Sequence, residues 1–362
     1  MSRWAPAPVF IQAMFDLMFA NPFQVSIHRL LIVPACFVAA FVLQGDLAGG
    51  QEVAGKTKTE LQPRLVRTDD GAVEVRVGDD LWTRYIPDSQ GRPVWYPVLG
   101  PGGESMTRGF PFQKANPDEK SDHDHHRSLW LTHGEVNDID FWIDDPGTGR
   151  IVDTGHRLSS GKDGAKFEAD YRWESAEGEK VMMERRVLRF FVQNGRRIID
   201  LDSKLTAEFG PVHIGDTKEG TFGIRVPGTM KVDAKKGGKI TNAEGILDKQ
   251  AWGKQSAWVD YNGPVAAKDA TDEKDLILAG IRIHQHPSSF GFPCRWHVRT
   301  YGLFAANPFG VYHFTGGEKT DGVRLKKGES LQMRFRTVFY RGPLDIKQAK
   351  QDQSQYAGVG QD

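Results

Sequence analysis

The sequence is poor in cysteine: it has two in 362 residues, Cys36 and Cys294. A disulfide framework is thereby excluded, and stability must come from a core that a chain of this length can bury. There is no surplus of charge either, with 47 basic and 47 acidic residues. That argues against a dedicated nucleic-acid binder, which carries a basic excess. Long hydrophobic runs are almost missing. The exception is "LLIVPACFVAAFVL" at 30–43, short of the roughly 20 apolar residues that a membrane helix needs. So no integral membrane domain is expected beyond that segment. A sustained helical period is absent between 63 and 340, as is any internal repeat of fixed period.

The apolar run has a context. Arg3, His28 and Arg29 precede it, and the small residues Ala48, Gly49 and Gly50 follow. This is the order of a secretory signal, read here as residues 1–50, with Met14 or Met18 as alternative starts. An uncleaved anchor is the competing reading. The expectation is an exported protein, periplasmic or extracellular, that keeps only Cys294 after cleavage. Cys294, in "FPCRWHV", reads as a packed small residue. Residues 51–62 read as a linker and 344–362 as a polar C-terminal tail, either a short helix or a frayed end.

What is abundant is glycine at 40, proline at 19 and tryptophan at nine, a mix suited to strands and tight turns. Period-2 alternation recurs. "AVEVRV" alternates Val73, Val75 and Val77 with Glu74 and Arg76. "FEADYRW" alternates Phe167, Ala169, Tyr171 and Trp173 with charged residues. "ERRVLRFFVQNGRRIIDLDSKL" places Asn194-Gly195 between two such runs, a strong hairpin signal. No composition break divides 63–343. The reading is all-β: one large antiparallel β-sandwich domain.

Polar chemistry collects in five places. "SDHDHHRSLWLTHGE" (121–135) holds His123, His125, His126 and His133 among Asp122, Asp124 and Glu135. Imidazole is the commonest metal ligand and also a near-neutral acid or base, so a metal site, an acid/base site and a solvated loop all remain open. "GDTKEGTFGIRV" sets Asp216, Lys218 and Glu219 before a strand, where a carboxylate beside an ammonium serves as a base, a grip for a hydroxyl, or a charged turn. In "WGKQSAWVDYNG", Trp252, Trp258 and Tyr261 offer flat faces to a sugar, or pack in the core. In "LILAGIRIHQHP", Arg282, His284 and His286 alternate away from the isoleucines. In "CRWHVRTYG", Arg295, His297, Arg299 and Tyr301 share one face, more than solubility needs, and suit an anionic or polyhydroxylated ligand or an ion-pair network. The Gly-rich "GPGGES" at 100–105 lacks the lysine and following helix of a phosphate loop.

The ordered stretches "RPVWYPVLGPGGESMTRGFPF", "HDHHRSLWLTHGEVNDIDFW", "GDTKEGTFGIRV" and "WHVRTYGLFAANPFG" resemble the PmoA-like family, exported bacterial proteins, many from planctomycetes, that carry a "methane oxygenase PmoA" label. The resemblance spans about 63–342. A methane monooxygenase subunit is a multi-span membrane protein, so the label implies neither copper nor methane chemistry for this chain. The family pattern His-Pro-His-His then His-Gly-Asp is similar to His123-Asp124-His125-His126 and His133-Gly134-Glu135, with Pro and Asp replaced. An aromatic before Asp-His-Pro corresponds to His284-Gln285-His286-Pro287, so His286 carries over and His284 does not. The strand order is also similar to the galactose-mutarotase supersandwich, which implies a concave sheet gripping a sugar with His, Arg and carboxylates.

The leading expectation is an exported carbohydrate-active enzyme of epimerase, lyase or glycosidase type. His126, His133, Asp216 and Glu219 would be its catalytic groups. His123, Lys218, Arg225, Trp258, His286, Arg295, His297 and Arg299 would bind a carbohydrate or another polar small molecule. A second expectation is a hydrolase or oxygenase using a divalent metal held among His123, His125, His126, His133 and Glu135. A third is a non-catalytic module binding a carbohydrate or partner.

Overall fold

A computed structural model describes residues 60–270 and 275–360. The signal-like segment 1–50 and most of the 51–62 linker lie outside the described residues.

The strands in chain order are β1 (Arg64–Arg67), β2 (Val73–Val77), β3 (Asp80–Ile86), β4 (Val94–Val98), β5 (Leu129–His133), β6 (Arg150–Gly161), β7 (Gly164–Glu174), β8 (Lys180–Gln193) and β9 (Arg196–Thr206). Then come β10 (Val212–Ile214), β11 (Gly220–Arg225), β12 (Lys239–Asn242), β13 (Trp258–Ala266), β14 (Leu276–Gln285), β15 (Arg295–Val298) and β16 (Leu303–Asn307). The short helix α1 (Tyr312–Thr315), β17 (Val323–Leu325), β18 (Ser330–Arg341) and helix α2 (Ile346–Ala357) complete the described chain.

Two antiparallel eight-stranded sheets result. The first runs β1-β2-β3-β4-β5-β11-β16-β15, the second β12-β13-β14-β18-β9-β8-β7-β6, and β10 pairs with β17. The all-β, antiparallel sandwich expected from the alternation is the architecture observed. Along β7, Ala165, Phe167, Ala169, Tyr171 and Trp173 are buried and their neighbours half-buried, because successive side chains leave opposite faces of a strand. Asn194 and Gly195 both take positive φ, +53° and +68°, between the paired Gln193 and Arg196. That is the geometry of a two-residue hairpin whose twist matches its strands.

The core lies between the sheets. Trp82 meets Phe190 edge-on at 5.4 Å, Trp95 meets Phe167 at 5.1 Å, and Phe222 stacks on Phe335 at 5.3 Å. Cys294 is a buried free thiol, as its sequence context implied. The inward residues Leu129 and Leu131 of β5, Phe222 and Ile224 of β11, and Phe304 and Ala306 of β16 belong to this core. Their neighbours Trp130, Leu303 and Ala305 face the other way and join Val94 and Trp142 in a separate apolar cluster. The outer side of the first sheet is therefore a built surface.

Helix α2 covers the outer side of the second sheet over β9, β14 and β18. Asp352 accepts from Arg196 (2.6 Å) and from Arg282. The His284 ring accepts at Nε2 from Arg282, so it carries its proton on Nδ1 and donates to Gln353 (2.8 Å). The polar segment that reads as either a helix or a frayed end is thus a helix docked by charge. No helix among the described residues is long and apolar enough to cross a membrane.

Candidate functional site

The His-rich stretch forms a loop over the outer face of the first sheet. Buried Arg108 is its hub: the guanidinium donates to the carbonyls of Asp122 (2.8 Å) and His123 (2.8 Å), and to the Asp122 carboxylate (3.2 Å). The loop turns tightly, with the His126 N–H donating to the His123 carbonyl and His123 at φ +49°.

The rings pack in order. Tyr301 lies on His123 at 5.5 Å, His123 on His126 at 4.9 Å, and His126 on Trp130 at 5.6 Å, all within 20° of parallel. Arg225 donates to Nδ1 of His126 (2.9 Å) and to Asp122 (3.3 Å). A guanidinium only donates, so His126 holds its own proton on Nε2. Burial, with Arg225 beside it, pushes the His126 pKa well below the ordinary value. The ring is neutral and wedged.

His125 leaves this stack edge-on, 4.5 Å from His126, half-buried and with no hydrogen bond to its ring among the described residues. Burial lowers its pKa to about 4, against the opposing fields of Asp144 and Glu219. Glu219 is half-buried and bonded to Lys218. Burial raises its pKa, but Lys218 and the facing His297 outweigh that and leave it below the ordinary carboxylate value. His297 is 2% exposed, and its Nδ1, with no hydrogen bond, lies 3.9 Å from Glu219 Oε2. Burial lowers the His297 pKa to about 4. At neutral pH the trio is one carboxylate and two neutral imidazoles.

Arg299, in the turn between β15 and β16, lies over Trp252 (5.5 Å to the ring centroid) and Tyr301 (5.3 Å). Its guanidinium makes no hydrogen bond or ion pair among the described residues. Tyr301 also receives Arg225 at 4.8 Å. Arginines, stacked aromatics, a carboxylate and imidazoles thus meet on one face.

The loop bearing Lys218 and Glu219 is held rigidly. Asn307 donates to the carbonyls of Thr217 (2.9 Å) and Lys218 (3.1 Å) and accepts from the Phe309 and Gly310 amides. The Gly134 N–H donates to the Glu219 carbonyl (2.7 Å), and a Cβ on Gly134 would lie 2.8 Å from that of Glu219. Only glycine permits this approach.

Of the residues expected from sequence, His123, His126, Lys218, Glu219, Arg225, His297 and Arg299 come together on this face. The others do not. His133 ends β5 on the core side with Leu129 and Leu131, packs on Phe309 (4.9 Å) and donates Nε2–H to the Gly215 carbonyl (2.8 Å). Burial lowers its pKa to about 4. Asp216 accepts from the Val311, Tyr312 and Thr320 amides and the Thr320 hydroxyl. Burial raises its pKa, yet those donors outweigh it and hold the carboxyl below the ordinary value. Both residues, expected among the four catalytic groups, brace the loops and lie apart from His126 and Glu219. Trp258 and His286 belong to the second sheet. Trp258 is buried beside His284 (6.3 Å), and His286 packs on Tyr356 of α2 (5.0 Å) and binds Arg334. Arg295 is tied to the Gly253 carbonyl (2.9 Å). Glu135 pairs with Lys319 (2.8 Å).

His133 and Glu135 therefore do not converge with His123, His125 and His126. Among the described residues no group of three or more His, Cys, Asp or Glu is arranged to hold a metal ion. Trp252 and Tyr301, which the alternation and the aromatic pattern single out without a site role, belong to this face, and so does His125, expected only as a metal ligand.

Residues 72–353 match the profile described as "Family of unknown function (DUF6807)". That description gives no support to the PmoA label. No curated protein matches. Among solved structures, a putative aldose 1-epimerase from Klebsiella pneumoniae subsp. pneumoniae MGH 78578 is similar, with TM-score 0.41 and 10% identity over 80% of this chain and 84% of that one. A galactose 1-epimerase from Lactobacillus acidophilus NCFM gives 0.34 and 10%, over 78% and 100%. A beta-arabinopyranosidase gives 0.38 and 11% over 77% of this chain, which spans 40% of that protein's length. Likeness at this level concerns overall shape and carries no inference about chemistry.

Proposed function

The chain belongs to the DUF6807 family of unknown function, and we propose that within it this protein is an exported carbohydrate-active enzyme performing acid/base chemistry on a sugar. The observation that carries the reading is Glu219 lying between a buried imidazole with a free nitrogen, His297, and an unbonded half-buried one, His125, beside an arginine stacked on Trp252 and Tyr301. Flat aromatic faces suit the C–H face of a pyranose, and guanidinium N–H groups suit its hydroxyls.

In this reading Glu219, ionised at neutral pH, takes a proton from a sugar hydroxyl or carbon. The His297 lone pair, 3.9 Å behind, gives that proton a second seat after a small movement. His125, neutral, supplies or accepts a proton on the open side. A carboxylate and imidazoles with separate environments make an acid/base set. His126 and Arg225 hold the loop that presents His125. Export rests on the apolar run at 30–43 and its flanks.

The test incubates the full chain with a panel of neutral and acidic mono- and oligosaccharides. Anomer exchange by NMR, new reducing ends and new unsaturated products are read separately. At least one sugar is turned over, and Glu219→Gln lowers that rate by about 10²–10⁴-fold with unchanged circular dichroism. Turnover of none of the panel, or a Gln variant at full rate, contradicts the proposal.

A further inference from the structure

We infer that the sugar received by this face carries an anionic group, a carboxylate or a sulfate or phosphate ester, seated on Arg299. The inference rests on the sugar reading above and adds the substrate class.

The charges of the face are its first support. Arg108 and Arg225 share one carboxylate, Asp122. Lys218 is matched by Glu219. Among the described residues Arg299 has no carboxylate partner. Glu119 adds its field to Asp122 at both Arg108 and Arg225, so the cation of this face left without a bonded acid is Arg299. Asp122 is itself 39% exposed on its side chain, whereas Arg108 and Arg225 are almost fully buried. An arginine without a bonded acid, close to two further buried guanidinium groups, favours an anion on this face.

The geometry of Arg299 is the second support. A long, free arginine at a surface moves among many rotamers. This one is packed over two rings, Trp252 and Tyr301, with Trp252 in turn packed on Phe314 (5.3 Å). Its side chain is fixed while its donors remain unspent. A planar guanidinium held in this way pairs two N–H groups with two oxygens of a carboxylate, phosphate or sulfate. Hydroxyls satisfy those donors less well, since they carry no charge. Arg299 also lies near His297, whose pKa it helps to lower. The anion would thus bind beside the acid/base groups, as expected for a substituent on the reacting ring or its neighbour.

The experiment is calorimetric titration of the full chain with glucuronate, glucose 6-phosphate, glucose 6-sulfate, glucose and inorganic phosphate, in low and high salt. The expected result is that one acidic sugar binds at least about ten-fold more tightly than glucose, as a charge-assisted pair requires. The member that wins identifies carboxylate or ester. Arg299→Gln brings that sugar down to the level of glucose, and Arg299→Lys, which keeps charge without the fork, recovers part of the difference. Equal binding of glucose and all the acidic sugars, with Arg299→Gln changing nothing, overturns the inference and leaves the sugar reading standing. Binding of inorganic phosphate alone as tightly as the ester overturns the sugar-specific form. Binding of no sugar overturns both readings together.

Discussion

Asp216 gives the sharpest stability prediction. Its carboxylate accepts from Val311 N–H (2.6 Å), Tyr312 N–H (3.0 Å), Thr320 N–H (2.9 Å) and the Thr320 hydroxyl (2.9 Å). It thereby ties the loop before β11 to α1 and to the chain entering β17. A hydrogen bond to a charged group is worth about 1.5–3 kcal/mol, and donors left buried without a partner add a penalty. The four bonds are not additive, because the loop relaxes once released. Asp216→Ala should therefore cost about 3–5 kcal/mol, the range of a broken buried network. Asp216→Asn, which keeps one carbonyl oxygen, should cost less, about 1–3 kcal/mol. Urea unfolding followed by tryptophan fluorescence and circular dichroism measures both. The pH dependence has a definite sign. A carboxyl whose folded pKa lies below its unfolded value stabilises fully above the unfolded pKa, about 4, and loses that stabilisation as pH falls through the folded value. So the gap between the native protein and Asp216→Asn stays constant from about pH 8 down to about pH 5 and narrows below about pH 4. A loss under about 1 kcal/mol for Asp216→Ala, or a gap that widens in acid, would refute the reasoning.

Further expectations follow from the same structure. Phe222→Ala removes a ring stacked on Phe335 across the sandwich and should cost about 3–5 kcal/mol, read from the urea midpoint. Asp352→Ala leaves Arg196 and Arg282 facing each other under α2 without their shared carboxylate. It should cost about 3–5 kcal/mol and speed proteolysis at the C-terminus, whereas an unchanged digestion pattern would mean that the helix is held by something else. Turnover that needs Glu219 ionised and His125 neutral, with His125 at about 4 and Glu219 below its ordinary value, should be flat near neutrality and fall only in acid. An acid limb centred near pH 6.5 would assign the chemistry to an unshifted histidine.

Legibility differed between the fold and the site. Strands β7, β8 and β9 were readable because period-2 alternation and Asn194-Gly195 are local signals. The outward face of β15 is readable for the same reason, which singles out His297, and the same alternation runs on to Arg299 in the turn that follows. Parity misled at His133. It was correctly placed on the side of Leu129 and Leu131, but that side is the core, and the histidines to which it seemed to belong lie on the other. Asp216 and Glu219 are neighbours in sequence, yet one is consumed by the amides of residues 311–320 and the other faces His297. No local pattern records which donors arrive from a hundred residues away. The burial of Trp258 and His286 was hidden for a related reason. The helix beside them is polar and docks through Asp352, Gln353 and Tyr356, so it lacks an apolar stripe that would announce a covered sheet.

The central claim is that the outer face of the first sheet, around Glu219, Arg299 and Trp252, receives a sugar. The most direct measurement follows the tryptophan indole N–H signals of the full chain by NMR while acidic and neutral sugars are added. The account predicts that the Trp252 signal moves saturably and that those of Trp82 and Trp173, buried between the sheets, stay still. Glu219→Gln and Arg299→Gln should each weaken that shift. Saturable movement of Trp258 with Trp252 unmoved, or no movement of any indole signal, would contradict the account.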